Sequence, residues 1–386
     1  CGRRDDACDA ITVNAAFGRC TMPEITINGH TLKAPEGATI LEVAKAEGFH
    51  IPTLCHVEGF PPLGACRVCV VEVEGAPRLL AACATPVREG MVIHTNSPRT
   101  RKGRRSVVEL LLSEHTGDCM ICDRGEDCEL KALAQDLGIR ELPFEGERLP
   151  VRMDESTAAL VRDSGKCIKC RRCVTACNAI QAVGALWPQG RGYETTIGPA
   201  FGGDLSEVPC VQCGQCAAIC PVGAIGERSH IDQVWAALDD PEQFVVVQTA
   251  PAIRAALGEA FGLPPGTLVT GKMVSALRRL GFDKVFDTNF TADLTIIEEG
   301  NELLSRLKSA LLDGEPAALP QFTSCSPGWI NFAEEFYPQF LPNISSCKSP
   351  QQMFGALAKS YYAESLGIAP EKMTVVSVMP CTAKQY

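Results

Sequence analysis

Fifteen of the 21 cysteines, with one histidine, fall into blocks that have the spacing of iron–sulfur ligands. Cys55, Cys66, Cys69 and Cys83 form the first block; His115, Cys119, Cys122 and Cys128 form the second. The third is a C-x2-C-x2-C-x3-C run, Cys167, Cys170, Cys173 and Cys177, repeated 43 residues later as Cys210, Cys213, Cys216 and Cys220. Thiolates hold iron and sulfide in small clusters that exchange single electrons, so blocks strung this closely describe a wire for electrons. Three more cysteines, Cys325, Cys347 and Cys381, lie in a differently patterned region, where the chemistry at the end of the wire is to be sought.

Each block implies its own cluster. Two irons bridged by two sulfides need four thiolates, and a C-x2-C pair holds one edge on a tight loop, which makes the first block a [2Fe–2S] site. Zinc also uses such pairs, but the sheet pattern around this one favours a ferredoxin. His56, beside Cys55, reads as a loop residue. The second block offers a four-cornered [4Fe–4S] cube only three cysteines, and the imidazole of His115 fills the remaining corner. A neutral nitrogen in place of a thiolate changes the net charge and shifts the potential. Three cysteines and a histidine would also suit zinc; the neighbouring blocks favour iron. The repeated run is the bacterial two-cluster pattern, in which the fourth cysteine of each run ligates the other cluster. One cube therefore takes Cys167, Cys170, Cys173 and Cys220, and the other takes Cys210, Cys213, Cys216 and Cys177. Pro221 follows Cys220 as the pattern has it, whereas Asn178 follows Cys177.

The elements that must position these ligands are legible in outline. Asn28-Gly29 between two alternating runs predicts a hairpin. Thr39 with Glu42 three residues on predicts a capped helix, and strands follow at 68–73 and 91–95: a small β-grasp domain. A helix pattern over 104–113 runs into His115. It is preceded by a basic run (Arg99, Arg101, Lys102, Arg104, Arg105) that reads as a solvated helix start or a docking face for an acidic partner. The stretch 141–165, rich in charge and proline, reads as a connector. Beyond 240, strand-like runs (244–248, 294–297, 374–379) alternate with helical ones (273–280, 302–312, 351–365), which predicts an α/β domain with a largely parallel sheet.

The expected fold is therefore multidomain, α+β and α/β. Its parts are an extension at 1–21, a β-grasp [2Fe–2S] domain at 22–98, a histidine-ligated [4Fe–4S] domain at 99–140 and the connector at 141–165. A two-cluster ferredoxin domain at 166–230 and a partial α/β catalytic domain at 240–386 follow. Cys1, Cys8 and Cys20 match no ligand set, and Met22 reads as the natural start of the folded chain. With 46% apolar and 21% charged residues and a net charge of −10, nucleic-acid binding is not expected. No run reaches the ~18–20 apolar residues of a membrane span, and no signal peptide is visible, so a reducing, cytoplasmic setting is expected for this many free thiols.

At the end of the wire, Cys325 lies in TSCSPGW and Cys381 in MPCTAK, both read as following strands, the rim where open α/β sheets gather ligands. These motifs closely resemble the first two signatures of the [FeFe]-hydrogenases, and the upstream order of clusters resembles the long, modular members of that family, in particular the catalytic subunits of NAD(P)-linked, multi-subunit hydrogenases. The resemblance covers residues 22–386. It implies reversible reduction of protons to H2 at a [4Fe–4S] cube bridged to a diiron unit. It implies Cys381 as a cube ligand, Lys384 as a charged donor to a cyanide, and Met379 and Pro251 as lining of the diiron pocket. Cys325 is implied as the proton-passing thiol, and Glu299, Glu302 and Ser345 as the relay to the surface. Electrons would be exchanged with flavin-bearing NAD(P)H-linked subunits or with ferredoxin. The rival reading is an electron-transfer subunit of an NADH dehydrogenase or formate dehydrogenase, which shares the wire but not the two motifs.

Three departures from the family pattern stand out. Ser326 occupies the place of a cube-ligating cysteine, and either Cys347, where many relatives have alanine, or Cys325 is left to supply that thiolate. Ala252 stands at a place that is often a small hydroxyl residue. The sequence stops at Tyr386, before the family's third motif, M-A-C-x2-G-C, so it reads as part of a longer polypeptide that holds the relay clusters but not a competent hydrogen site.

Overall fold

In the computed structural model, which describes residues 22–117, 119–144 and 148–385, Asn28 and Gly29 take positive φ (50° and 87°) and turn β1 (Glu24–Ile27) into β2 (His30–Lys33). Cys1, Cys8 and Cys20 lie outside the described residues. Helix α1 (Ile40–Ala46) starts at Thr39, whose hydroxyl accepts from the Glu42 N–H while the Glu42 carboxylate accepts from the Thr39 N–H at 2.7 Å. Its Ile40, Val43 and Ala44 pack with Ile25, Ile27, Val71 and Ile93, each large aliphatic side chain contributing about 1.5–3 kcal/mol by burial. With β3 (Val70–Val73), β4 (Leu80–Ala81) and β5 (Val92–His94) the sheet order is β2-β1-β5-β3-β4; β1 and β5 run parallel and the other pairs antiparallel.

The helix expected over 104–113 begins earlier, as α2 (Pro98–Glu114). Ser97 caps it and Pro98 fills its first position, a start signal that lies upstream of the apolar run. The basic run is not uniformly solvated. Arg99, Arg101, Lys102 and Arg105 are exposed, but Arg104 is only 6% exposed. Gly103 permits the helix to come this close, since a Cβ there would lie 2.5 Å from Leu79 Cδ1. With α3 (Glu129–Asp136), these elements form one of two units into which the chain divides, residues 1–115 with 129–147; the other comprises 116–128 with 148–386.

In the second unit, the stretch expected as a connector supplies β6 (Met153–Asp154) and β7 (Leu160–Asp163). Its charges misled the reading by composition: Asp154 and Arg162 are buried and face each other at 3.6 Å. The cluster-bearing segment follows with α4 (Arg172–Thr175), the hairpin β8 (Trp187–Gln189) and β9 (Thr196–Gly198), α5 (Gln215–Ala218) and β10 (Ile225–Glu227). Strand β10 pairs with β7 to give the sheet β10-β7-β6.

After α6 (Ile231–Asp239), the buried run of β11 (Phe244–Thr249) forms the centre of a three-stranded parallel sheet. Helices α7 (Ile253–Ala260) and α8 (Thr270–Leu280) lead to β12 (Lys284–Asp287) on one side of it. The strand expected at 294–297 is instead the second turn of α9 (Asn289–Leu311). A short apolar run does not distinguish strand from helix by periodicity, and Ile296 and Ile297 are 69% and 59% exposed on the helix surface. Helices α10 (Pro327–Phe336), α11 (Pro350–Leu357) and α12 (Ala363–Leu366), the last two joined by a π-helical turn at Ala358–Tyr362, precede β13 (Met373–Val378) on the other side of β11. Among the described residues, no helix is long and apolar enough to cross a membrane.

Candidate functional site

The four cysteines of the first block converge and are all buried. Cys69 and Cys83 sulfurs stand 3.4 Å apart, and Cys66 bonds to Cys55. The hydrogen bond from the Cys83 thiol lowers the pKa of Cys69 to about 7, while Cys83 and Cys66 are pushed up by the neighbour whose charge they stabilise. Thiols packed this way cannot all ionise alone; bound iron supplies the missing positive charge. Arg67, between Cys66 and Cys69, holds φ 58°, a conformation uncommon for a residue with a Cβ and typical of the tight loops that wrap clusters.

The repeated runs interleave. Cys173 feels the charges of Cys167, Cys170 and Cys220, and these four line one cavity with Ile168, Ile197 and Val222. Cys216 feels Cys210, Cys213 and Cys177. Burial raises every member for which a shift is resolved, Cys170 to about 12 and Cys210 to about 11. The donor chemistry fits a cube in each set: four thiols, little competing oxygen, and apolar walls that leave the thiolates no counter-charge but iron. Lys169, Arg171 and Gln212 take positive φ in the turns that carry them.

His115 caps the C-terminus of α2, and Cys119, Cys122 and Cys128 follow in the loop before α3, Cys119 exposed and the others half-buried. Within the second unit this loop lies against the first cube's ligands. Arg124 Nη2 donates to the Cys220 carbonyl at 2.6 Å, and Gly223 leaves room for the Cys122 sulfur, which a Cβ there would meet at 2.8 Å.

At the far end, Thr249 of β11 pairs with Asp287 of β12 and with Val378 of β13, so the carboxyl ends of the three parallel strands coincide. Pro251 and Met379 extend from two of these ends, joined by the Ala250 N–H donating to the Val378 carbonyl at 3.0 Å. Cys325 does not follow a strand of this sheet. Phe322 makes only an isolated bridge with Ile344, and Cys325 is exposed ahead of α10, its carbonyl accepting from Lys384 Nζ at 2.8 Å. That bond joins the two signature loops. Cys381, Ser326 and Cys213 line one cavity, and Cys213 feels the charge of Cys381. Thr382 fastens this junction. Its hydroxyl donates to Glu227 at 2.6 Å, and it packs so closely on Gly214 (φ 76°) that a Cβ there would lie 2.3 Å from Thr382 Oγ1.

Cys347 lies elsewhere. Its sulfur is 3.7 Å from Glu302 Oε2, which accepts from the Ser345 hydroxyl at 2.5 Å; Glu302 Oε1 accepts from Arg306 Nη2 at 2.6 Å. Burial would raise the Glu302 pKa, but these donors and the Ser346 N–H hold it below the usual carboxylate range. Glu299, one helical turn earlier, is raised by burial and by the Glu302 charge. On acidification Glu299 is therefore expected to protonate first and Glu302 last. Infrared titration of the carboxyl band checks this: Glu299→Gln should remove intensity that appears above the ordinary carboxylate range, and Glu302→Gln intensity that appears below it. The reverse order would mean that these hydrogen bonds do not set the charges.

Reading the sequence missed Arg306, which also donates to the Ala318 and Ile344 carbonyls and so ties the loop before Ser345 to α9. Its i,i+4 relation to Glu302 was a signal available for it. The Thr382–Glu227 contact, 155 residues apart in the chain, had none.

Four family models match. They are a 2Fe-2S iron-sulfur cluster binding domain at residues 21–98, an NADH-ubiquinone oxidoreductase-G iron-sulfur binding region at 104–143, a 4Fe-4S dicluster domain at 166–224, and the C-terminal domain of the iron only hydrogenase large subunit at 243–386. The chain is 52% identical over 371 residues to the NADP-reducing hydrogenase subunit HndD of Solidesulfovibrio fructosivorans, and 40% identical over 367 residues to iron hydrogenase 1 of Clostridium pasteurianum. Each match covers 95% of this chain and 63% of the relative, so the chain spans less than two thirds of their length. A crystal structure of an NAD+-reducing [NiFe]-hydrogenase in its H2-reduced state superposes with a TM-score of 0.50 at 32% identity, covering 54% of this chain and 88% of that one.

Proposed function

The chain belongs to the modular [FeFe]-hydrogenases, and from that premise we propose that it carries electrons through one [2Fe–2S] and three [4Fe–4S] clusters to or from a site that interconverts protons and H2. The observation that carries this reading is the meeting of the TSCSPGW and MPCTAK loops, bonded through Lys384 and Cys325, beside Cys213 of the relay. A wire that only passed electrons onward would have no need of these loops at its end. The rival electron-transfer subunit shares the region matched at 104–143 and lacks a counterpart for 243–386.

The ligands are read as Cys55, Cys66, Cys69 and Cys83 for the [2Fe–2S] cluster, and His115, Cys119, Cys122 and Cys128 for the first cube. The crossed sets of the repeat hold the other two. Electrons then pass from the Cys122 loop, packed on Gly223, to the cube of Cys167, Cys170, Cys173 and Cys220, next to that of Cys177, Cys210, Cys213 and Cys216, and on towards Cys381. A cube bridged to a diiron unit, when bound at Cys381, supplies the combination of protons and electrons as H2. This chain's residues there are one thiolate, Cys381, with the Ser326 hydroxyl lining the same cavity; Pro251 and Met379 frame the pocket from two strand ends, and Lys384 offers a positive charge. Cys325 passes protons at the pocket. Glu302, kept anionic by Ser345 and Arg306, and Glu299, raised towards the protonated form, serve as acceptor and carrier on α9. The Cys347 thiol donates to Glu302 and belongs to this relay, not to the cube. A partner subunit bearing flavin and using NAD(P)H, or ferredoxin, exchanges electrons with the N-terminal clusters in a reducing, cytoplasmic compartment.

Iron analysis tests the relay. Reconstituted anaerobically with iron and sulfide, the chain is expected to bind about 14 irons in its relay clusters. A count near six would remove two of the cubes and with them the proposed path.

A further inference from the structure

Arg104 is the member of the basic run that the fold takes inside. At 6% exposure its Nη2 donates to the carbonyl of Val70, the residue after Cys69, at 2.9 Å. Its Nε is buried without a hydrogen-bond partner among the described residues. No carboxylate answers its charge there. Glu109, one turn along α2, pairs with Arg105 at 2.7 Å, and Glu72 is engaged by Ser97 and Arg99. The other cluster-bearing unit offers a contrast. Arg162, whose charge reaches Cys167, is also buried, but Asp154 faces it at 3.6 Å.

A guanidinium cannot shed its proton in a protein, and burying one without a counter-charge is costly. Burial presses the Arg104 pKa down, and the opposing influence is Cys69. Arg104 thus has an unmet need for negative charge on the side of the protein where four thiols converge.

We propose that Arg104 is the resident counter-charge of the cluster held by Cys55, Cys66, Cys69 and Cys83, and that it raises the reduction potential of that cluster. The proposal rests on the reading of this block as a [2Fe–2S] site. On reduction one electron enters, one ferric ion becomes ferrous, no bond forms or breaks, and the cluster gains one negative charge. A fixed cation close by stabilises that added charge in proportion to its proximity and to the low local dielectric. Because arginine does not titrate, its contribution needs no proton.

The test is a dithionite titration of the reconstituted chain, followed by electron paramagnetic resonance under conditions where the [2Fe–2S] signal stands apart from the faster-relaxing cubes. Arg104→Gln and Arg104→Met are expected to favour the oxidised form roughly tenfold, a fall of about 59 mV for one electron, while Arg104→Lys keeps most of the wild-type potential. An unshifted potential in R104Q with full iron content overturns the proposal, as does an R104K shift equal to that of R104Q. If R104Q fails to hold the cluster, R104K decides: retention there supports the counter-charge, and equal loss shows that shape, not charge, was needed. A wild-type chain with no [2Fe–2S] signal would instead remove the reading of the block itself.

Discussion

Replacing Cys177 by alanine is expected to abolish the cube of the other cysteine run, with loss of about four irons, and to leave the cube of its own run in place. Cys177 sits on the π-helical turn that follows α4, where the Ala185 N–H donates to its sulfur at 3.3 Å. Its charge acts on Cys210, Cys213 and Cys216. The thiolates facing Cys167, Cys170 and Cys173 come instead from Cys220. Cys220→Ala should therefore remove the complementary cube. Iron content with the paramagnetic spectrum of the reduced chain distinguishes the two variants, because magnetic interaction between the paired cubes disappears in both while the surviving cube differs. Loss of the same cube from C177A and C167A would show that each run closes on itself.

The second large effect is expected at Glu302. Glu302→Gln keeps the shape and can still meet Ser345 and Arg306, but it removes a carboxylate that four donors hold ionised. A proton relay that loses its permanent acceptor should slow by about 10²–10⁴-fold, the range general acid–base groups command. H2 evolution from reduced methyl viologen by the mature enzyme measures it. Iron content and the relay potentials should be unchanged, which separates a blocked proton path from a damaged wire. Cys347→Ala should have a milder effect, since Ser345 remains bonded to Glu302. Wild-type turnover in E302Q would exclude this carboxylate from the path.

Much of the wire was legible because iron–sulfur ligation is local: a C-x2-C turn must bring two sulfurs to one cluster edge whatever surrounds it. The hairpin at Asn28-Gly29 and the cap at Thr39 were legible for the same reason, each satisfied by residues within a few positions. Legibility failed where a short apolar run had to choose its state, as at 294–297, which α9 absorbed. It failed again where charge stood for solvation: Asp154 and Arg162 meet in the interior, and composition alone assigned their segment to a connector.

The amino-acid sequence by itself determined the ligand types, their grouping into blocks and the two signature loops, since these depend on spacing along the chain. Only the tertiary structure decided where the remaining groups went. Cys347 was open between cube and solvent until α9 placed Glu302 3.7 Å from it. The Cys213 and Cys381 loops became neighbours through Thr382 and Glu227, and Arg104 turned inward from an otherwise exposed basic run. A counter-charge or a docking contact is a meeting of residues far apart in sequence, and no spacing rule records which of them will meet.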